Sequence, residues 1–231
     1  MEFNLADAKD GILLVDKPAD WTSFDVVAKI RAQIRAEYRA RGEKPTKRQL
    51  KVGHAGTLDP FATGLLVILL GDATKKAERF LKLDKVYEAT FYLGQTSTTG
   101  DPEGDITDIS EVVPTHEDIK AALDRFTGEI TQVPPVYSAI KVNGQRAYRL
   151  AREGKDVTIP ERIVTIYSIE LLEYIYPYLS IRVHVSSGTY IRTLGEDIGA
   201  VLGVGAYCSQ LRRIAVGEYT IANAVQPQRV P

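Results

Sequence analysis

A segment rich in small residues carries the clearest chemical signal of the chain, because it presents a single carboxylate, Asp59, in a tight loop. Residues 53–64 read Gly-His-Ala-Gly-Thr-Leu-Asp-Pro-Phe-Ala-Thr-Gly. Its three glycines permit tight turns and close approach by another group, and Pro60 biases Asp59 away from helical dihedrals. A carboxylate presented by a shaped loop is a candidate catalytic group, although most loops of this composition are structural.

The elements on either side of this loop are predicted from the spacing of apolar residues. The unbroken apolar run at 65–70 indicates a buried strand that fixes the end of the loop. Residues 11–18 predict a short strand ended by a proline. Thr22 or Ser23 then caps a helix, since the following apolar residues share one face. These residues are Val26, Val27, Ile30 and Ile34.

Further elements follow along the chain, without a linker or an internal repeat. They are a basic connector at 39–51, a helix near 73–83, an alternating strand at 86–93, an acidic loop at 96–108, a helix opened by Thr115 and Asp118, strands near 163–175 and 178–186, and a helix near 190–202. Strands and helices are mixed without regular alternation, which favours an α+β fold with a largely antiparallel sheet.

The Asp59 segment resembles the signature loop of the TruB-type tRNA pseudouridine synthases. That pattern is Gly-His-x-Gly-x-Leu-Asp-Pro-x-Ala-x-Gly, and every fixed position is present at 53–64. Four further blocks at family-like spacing extend the resemblance over about residues 10–220. They are Asp-Lys-Pro at 16–18 with Trp-Thr-Ser at 21–23, Lys-Val-Tyr at 85–87, Gly-Thr-Tyr-Ile-Arg-Thr-Leu at 188–194, and the block 132–141 with Gly144 and Tyr148. Leu-Arg-Arg at 211–213 resembles the last pocket motif, and Asp20 stands where the family usually has glycine.

The resemblance implies a role for several residues. Asp59 would initiate cleavage, as a nucleophile at the sugar or as a base at the ribose. Arg192 would orient Asp59 and keep it charged, because an adjacent guanidinium favours the ionised carboxylate. Tyr87 would stack on the target base and serve in proton transfer. Leu211 would wall the base pocket.

The remaining substrate contacts implied by the resemblance are His54, which would help extrude the uridine or take its place, Tyr190 and Lys17. Extruding a loop base costs a few kcal/mol, so the enzyme must replace the lost stacking. The residues alone also allow other interpretations. Tyr87 could simply begin a half-buried strand face, and Arg192 could lie on a solvated helix face.

Charge is distributed unevenly along a chain whose net charge is only −1. Residues 29–51 hold nine Lys and Arg against two Glu, a net of +7, whereas residues 101–124 have a net of −7. Because affinity for RNA follows local phosphate contacts, Lys44, Lys47, Arg48 and Lys51 are candidate contacts to an RNA backbone. The alternative is a solvated helix face and, in the acidic region, a mobile loop.

Composition limits the class of protein. The 231 residues are 44% hydrophobic, enough for a sizeable core, and there is no apolar stretch long enough to span a membrane. Cys208 is the single cysteine, and the three histidines are far apart, so neither a disulfide nor a zinc cluster is expected. We expect a cytoplasmic protein with one catalytic domain over 1–231 and no C-terminal PUA domain. Cys208 is expected to be a small residue of the hydrophobic core.

The expected function follows from the resemblance. The protein would isomerise the uridine at position 55 in the T loop of tRNA, by cleaving the bond between N1 and C1′, rotating the base and rejoining it through C5. The substrate would be the T-arm stem-loop, and the enzyme would act as a monomer. The reaction involves neither redox change nor hydrolysis, so no cofactor or metal is required. The alternatives are a synthase acting on another RNA and a non-catalytic protein that binds or remodels RNA on the same scaffold.

Overall fold

The computed structural model describes residues 3–5, 8, 10–138, 140–142, 144–146, 150, 153 and 158–226. Ala139 and Tyr148, two positions of the family-like block, lie outside the described residues. The strands are β1 Ile12–Lys17, β2 Val52–His54, β3 Thr63–Leu70, β4 Lys85–Leu93, β5 Gln95–Ser97, β6 Ile106–Asp108, β7 Gly128–Gln132, β8 Lys141–Val142, β9 Gln145–Arg146, β10 Arg162–Ile175, β11 Tyr178–Val185, β12 Ala206–Val216 and β13 Tyr219–Thr220. The α-helices are α1 Ser23–Ala40, α2 Ala77–Leu81, α3 His116–Asp124 and α4 Ile191–Val201, and 3₁₀ turns occur at Gly71–Lys76 and Ile221–Asn223.

The chain divides into two compact units. Unit 1 comprises Met1–Val86 and Arg212–Pro231, and unit 2 comprises Tyr87–Leu211. The organisation as one catalytic domain over 1–231 stays a prediction. Within the described residues, no helix combines the length and the apolar character that a membrane crossing requires.

The sheet of unit 1 is built around β3. Strand β1 pairs with it antiparallel from Ile12 opposite Leu69 to Lys17 opposite Gly64. Strand β2 pairs antiparallel with the end of β3, and β12 pairs parallel with its start. The predicted buried strand is confirmed, because residues 65–69 have no solvent exposure. One face of β3 joins a core of Ala55, Leu65, Val67, Leu69, Ala73, Phe80 and Val216.

Helix α1 begins at the predicted cap, and the capping residue is Thr22. Its hydroxyl accepts from the Asp25 N–H, while the Asp25 carboxylate accepts from the Thr22 N–H, a reciprocal pair that defines a helix start. The predicted apolar face is buried, and α1 contacts β2. The predicted helix near 73–83 is more irregular, because a 3₁₀ turn precedes the short α2 and neither start has a side-chain cap.

Unit 2 contains strands in the order β12, β4, β11, β10, β7. Strand β4 alternates as predicted, with Tyr87, Ala89, Phe91 and Leu93 buried. Strands β10 and β11 form an antiparallel hairpin, and β7 pairs antiparallel with the start of β10. Thr115 and Asp118 cap α3 as predicted. Helix α4 ends at Val201, and Gly203 after it adopts a left-handed conformation. The α+β class with a mixed sheet is confirmed.

Candidate active site

Asp59 lies in the loop between β2 and β3. Its carbonyl oxygen accepts from the Ala62 N–H at 3.2 Å, so Asp59 and Pro60 begin a tight turn. The glycine that follows the loop is required by packing. Gly64 has φ +102°, and a Cβ there would lie 2.3 Å from the carbonyl oxygen of Arg213 on the paired strand β12. Only glycine lets the two backbones approach this closely.

The peptide groups next to Asp59 are fixed by side chains from distant parts of unit 1. The Ser23 hydroxyl, at the start of α1, donates to the Leu58 carbonyl at 3.1 Å and accepts from the Leu58 N–H at 2.8 Å. On the other side of Asp59, the Lys17 ammonium donates to the Pro60 carbonyl at 3.1 Å. A loop lacks the internal hydrogen bonds of a helix or sheet, so these side chains replace them.

Arg213 completes this set and was not singled out by sequence reasoning. Its guanidinium is 1% exposed and donates to the carbonyls of Leu65 at 2.8 Å, Gly56 at 3.1 Å and Thr57 at 3.4 Å. The strand period could have indicated it, because alternation along β12 puts Arg213 on the same buried side as Leu211. We call Lys17, Ser23 and Arg213 the loop clamp.

Lys17 was predicted to bind substrate, and the structure gives it a positioning role. The side chain has no exposure, and its three N–H groups donate to the carbonyls of Pro18, Trp21 and Pro60. Burial lowers the pKa of Lys17 to about 8, and the negative charge of Asp59 is the strongest opposing influence. The two groups are therefore coupled electrostatically. A direct contact of Lys17 with substrate stays a prediction.

His54 ends β2, at the entrance to the Asp59 loop. Burial lowers the pKa of its imidazole, and the positive charge of Arg213 lowers it further. The ring is therefore neutral at neutral pH. Its Nδ1 is buried and has no hydrogen-bond partner in the described part of the chain. The predicted contact with the extruded uridine stays a prediction.

Asp20, which replaces the usual glycine, retains the conformation that glycine would adopt. Its φ is +64°, in the left-handed region that aspartate tolerates better than most residues. Its N–H donates to the Pro60 carbonyl at 2.9 Å, so the same oxygen accepts from Asp20 and Lys17. Asp20 therefore adopts a backbone conformation that glycine also favours.

In unit 2, Tyr87 lies on the buried face of β4 and is 8% exposed. Two residues earlier, in unit 1, Lys85 donates to the carbonyls of Leu81, the last residue of α2, and of Leu83. Burial lowers the pKa of Lys85 to about 8, and the positive charge of Arg213 contributes to the shift. Lys85 therefore fixes the entry into β4 rather than meeting solvent.

Arg192 lies in the first turn of α4 and is 4% exposed, so the interpretation as a solvated helix residue is wrong. One terminal nitrogen donates to the Asp101 carboxylate at 2.8 Å and to the Thr99 carbonyl at 2.7 Å, and the other donates to the Tyr137 carbonyl at 2.7 Å. Its orientation is thus fixed within unit 2 by an ion pair and two carbonyl groups.

Asp101 is the second residue that sequence reasoning missed. It is 4% exposed, whereas Glu103, Asp105 and Asp108 of the same acidic stretch are exposed. Its carboxylate also accepts from the Thr99 hydroxyl at 2.6 Å and the Glu103 N–H at 3.0 Å. The acidic segment is therefore folded around one buried carboxylate, and composition alone gave no signal that separated it from its neighbours.

The other predicted residues of unit 2 lie at the start of α4 and within β12. Tyr190 is the N-cap residue of α4, and the Arg162 guanidinium lies 5.5 Å from its ring centroid. Leu211 is in β12 and is 8% exposed. Cys208 is buried, as expected for a small core residue.

The predicted RNA-backbone residues Lys44, Lys47, Arg48 and Lys51 are all exposed in unit 1. Arg48 forms an ion pair with Asp72, which also pairs with Lys75 at 3.2 Å. Arg48 and Lys75 therefore share the Asp72 carboxylate. Among the described residues, no group of three or more His, Cys, Asp or Glu side chains is placed to hold a metal ion.

The predicted site residues thus fall into two local sets. Unit 1 contains Asp59, His54 and Lys17, which surround one loop, and unit 2 contains Tyr87, Tyr190, Arg192 and Leu211. The pairing of Arg192 with Asp59, implied by the resemblance, stays a prediction.

Comparison with known proteins identifies the family of this chain. Residues 44–191 match the model of the TruB family pseudouridylate synthase N-terminal domain, and residues 192–230 match that of the tRNA pseudouridylate synthase B C-terminal domain. A tRNA pseudouridine synthase B of Burkholderia mallei is 45% identical over 218 residues, covering 94% of this chain and 68% of the relative. That of Cupriavidus metallidurans is 46% identical over 222 residues, covering 95% and 67%.

Solved structures agree with this assignment. A chain of a Cbf5–Nop10–Gar1 complex matches with a TM-score of 0.67 and 32% identity, covering 94% of this chain and 52% of its own. A chain of an H/ACA RNP bound to a substrate RNA containing 2′-deoxyuridine matches with a TM-score of 0.65 and 29% identity. This chain spans about half the length of those two. The expected fold and enzyme class are confirmed, and the chain belongs to the TruB family of pseudouridylate synthases.

Proposed function

We propose that this protein isomerises uridine to pseudouridine at position 55 in the T loop of tRNA. The observation that carries the proposal is the Asp59 loop, whose peptide groups on both sides of the carboxylate are fixed by buried side chains. Family membership supports the reaction type, and the curated relatives are named tRNA pseudouridine synthases. The protein acts as a cytoplasmic monomer that takes the T-arm as substrate.

The chemistry assigns one task to each residue. Asp59 initiates cleavage of the bond between N1 and C1′, either by attack on the sugar or by abstraction of a ribose proton. Arg192 pairs with Asp59 and keeps it ionised. After the base rotates, C5 bonds to C1′ and its proton leaves, with Tyr87 stacked on the ring and serving the transfer.

Contacts with the pocket residues offset the free energy of extruding the base. Unstacking a loop uridine costs a few kcal/mol, which contacts inside the protein must offset. Tyr87 supplies an aromatic face and Leu211 an apolar wall. The neutral imidazole of His54 takes the place that the uridine leaves.

The deciding experiment measures tritium release from a T-arm stem-loop labelled at C5. The native protein should release tritium, and Asp59→Asn should release none, because the amide can neither attack the sugar nor accept a proton. The matched control is Asp20→Asn, which makes the same change in an exposed turn residue whose left-handed conformation asparagine also tolerates. The control should retain native release.

Other outcomes decide against parts of the proposal. Release from another RNA but not from the T-arm would reject the substrate while keeping the reaction. Binding of full-length tRNA without release by the native protein would favour a protein that binds or remodels RNA. Release by Asp59→Asn at the native rate would remove Asp59 from the chemistry.

We also propose that the exposed cations Lys44, Lys47, Arg48 and Lys51 contact the RNA backbone. Replacing Lys44, Lys47 and Lys51 with glutamate should weaken binding and flatten its salt dependence, since each phosphate contact contributes roughly −0.9 to the logarithmic salt slope on a duplex. The control is Lys120→Glu, an exposed lysine on α3. An unchanged slope for the triple variant would reject this surface.

A further inference from the structure

The start of helix α4 lacks the side-chain cap that the described starts of α1 and α3 have. Tyr190 is the N-cap residue, and its side chain makes no capping hydrogen bond. In α1 and α3, by contrast, a threonine hydroxyl caps the helix. Arg192 lies two residues after this start, so anything that moves the first turn of α4 also moves the guanidinium.

A distant glutamine bonds the backbone at this point. Gln132 ends β7 and is 1% exposed. Its side-chain oxygen accepts from the Tyr190 N–H at 3.1 Å, and its side-chain NH₂ donates to the Tyr190 carbonyl at 3.2 Å. The Gln132 side chain thus forms hydrogen bonds with both the N–H and the carbonyl of Tyr190, as a neighbouring strand would. The Tyr190 carbonyl also accepts from the Leu194 N–H at 3.1 Å, the first turn of the helix.

The strand partner of Gln132 supports the same residue from its side chain. Arg162 is opposite Gln132 in the pairing of β10 with β7. Its guanidinium lies 5.5 Å from the Tyr190 ring centroid and donates to the Gly188 carbonyl at 3.4 Å. One strand pair therefore contacts the backbone, the ring and the preceding turn of Tyr190.

We propose that Gln132 is a positioning residue for the isomerisation, because it fixes the start of α4 and thereby the placement of Arg192. This inference rests on the proposed function. Gln132 does not touch the reacting atoms, so it acts through Arg192. Small displacements of a group that must meet a reacting centre reduce rates by about 100-fold per ångström in sensitive cases.

The test is Gln132→Met, which keeps the length of the side chain and removes both hydrogen bonds. We expect the single-turnover rate at saturating T-arm to fall about 10- to 100-fold, with the Kd for the T-arm changed less than about threefold. The matched control is Gln95→Met, because the Gln95 side-chain NH₂ donates to the exposed Asp108 carboxylate, away from the start of α4. The control should keep the native rate.

Two further measurements separate positioning from a general structural role. In an Arg192→Lys background, whose guanidinium is already lost, Gln132→Met should reduce the rate much less than in the native background. Amide hydrogen exchange should increase at residues 190–193 and stay native in α3. If Gln132→Met does not fold, Gln132→Glu, which keeps only the bond from the Tyr190 N–H, takes its place.

The outcomes that overturn the proposal are distinct. Equal rate losses in the two backgrounds would show that Gln132 acts elsewhere than through Arg192. A lowered stability with an unchanged saturating rate would make it a structural residue only. If amide hydrogen exchange at residues 190–193 keeps the native rate in Gln132→Met, Gln132 does not stabilise the start of α4. An inactive native protein would refute the proposed function, and the exchange measurement would still decide whether Gln132 holds α4.

Discussion

The loop that carries Asp59 and the helix that carries Arg192 are fixed in different ways. In unit 1 the loop clamp acts on the backbone, at Gly56, Thr57, Leu58 and Pro60. In unit 2 the contacts act mainly on the side chain, since Asp101 and two carbonyls bind the Arg192 guanidinium directly.

The difference follows from the local structure. A helix supplies its own backbone hydrogen bonds, so only its start and the long side chain need external partners. A loop supplies almost none, and each unpaired peptide group would be costly when buried. Fixing the carboxylate of a short residue such as Asp59 is therefore largely a matter of fixing the main chain around it.

Removing Arg213 should have the largest effect, because three carbonyls of the Asp59 loop and β3 lose a donor at once. We expect Arg213→Met to lower the free energy of unfolding by about 3–5 kcal/mol and to abolish turnover. Urea unfolding and tritium release measure the two effects. The control is Arg212→Met on the same strand, where the lost pair with Asp16 is nearer the surface and should cost less, about 1.5–3 kcal/mol.

If Arg213→Met folds with native stability and turns over normally, the clamp is not what fixes the loop. A loss of stability with a native saturating rate in the folded fraction would show that the loop keeps its shape without Arg213. Either result would remove the contrast between the two units.

The sequence alone predicted the elements better than the contacts that fix them. The burial of β3, the alternation of β4, the cap of α1 and the capping box of α3 follow from periodicity and local chemistry, which neighbouring residues determine. The residues of the loop clamp could not be found in this way, because Arg213 lies 157 residues from Gly56 and Ser23 lies 35 residues from Leu58 in the sequence. Only the folded chain brings such partners together.

Asp101→Asn should have the next largest effect, in unit 2. The amide keeps the shape of the side chain but removes the negative charge of the buried ion pair with Arg192. We expect a loss of about 1–3 kcal/mol in stability and a reduced saturating rate. The control is Asp105→Asn, the same change at an exposed position of the same segment. Equal rates for the two variants would show that Asp101 does not orient Arg192.

Two adjacent hydroxyls allow a sharper test in unit 1. Thr22 caps α1, and Ser23 bonds the Leu58 peptide groups. Thr22→Ala and Ser23→Ala should each cost about 1 kcal/mol in stability. Only Ser23→Ala should also lower the saturating rate, since Leu58 precedes Asp59. Equal rates at equal stability would place Ser23 outside the positioning of the loop.

A last test of the loop clamp concerns the pH dependence of stability. The pKa of Lys17 is about 8 in the folded protein, below the ordinary value of 10.5. Between these two pH values the unfolded chain binds more protons at Lys17 than the folded one does, so the folded state gains stability as the pH rises through that window. The variant Lys17→Met should not show this rise in stability. The unfolding free energy of the native protein minus that of the variant should therefore increase from pH 8 to 10.5. Exposed Lys82, changed to methionine, is the control. A difference that stays flat would mean that the Lys17 ammonium is not held in the buried clamp, and the backbone after Asp59 would then depend on the Asp20 N–H at the Pro60 carbonyl.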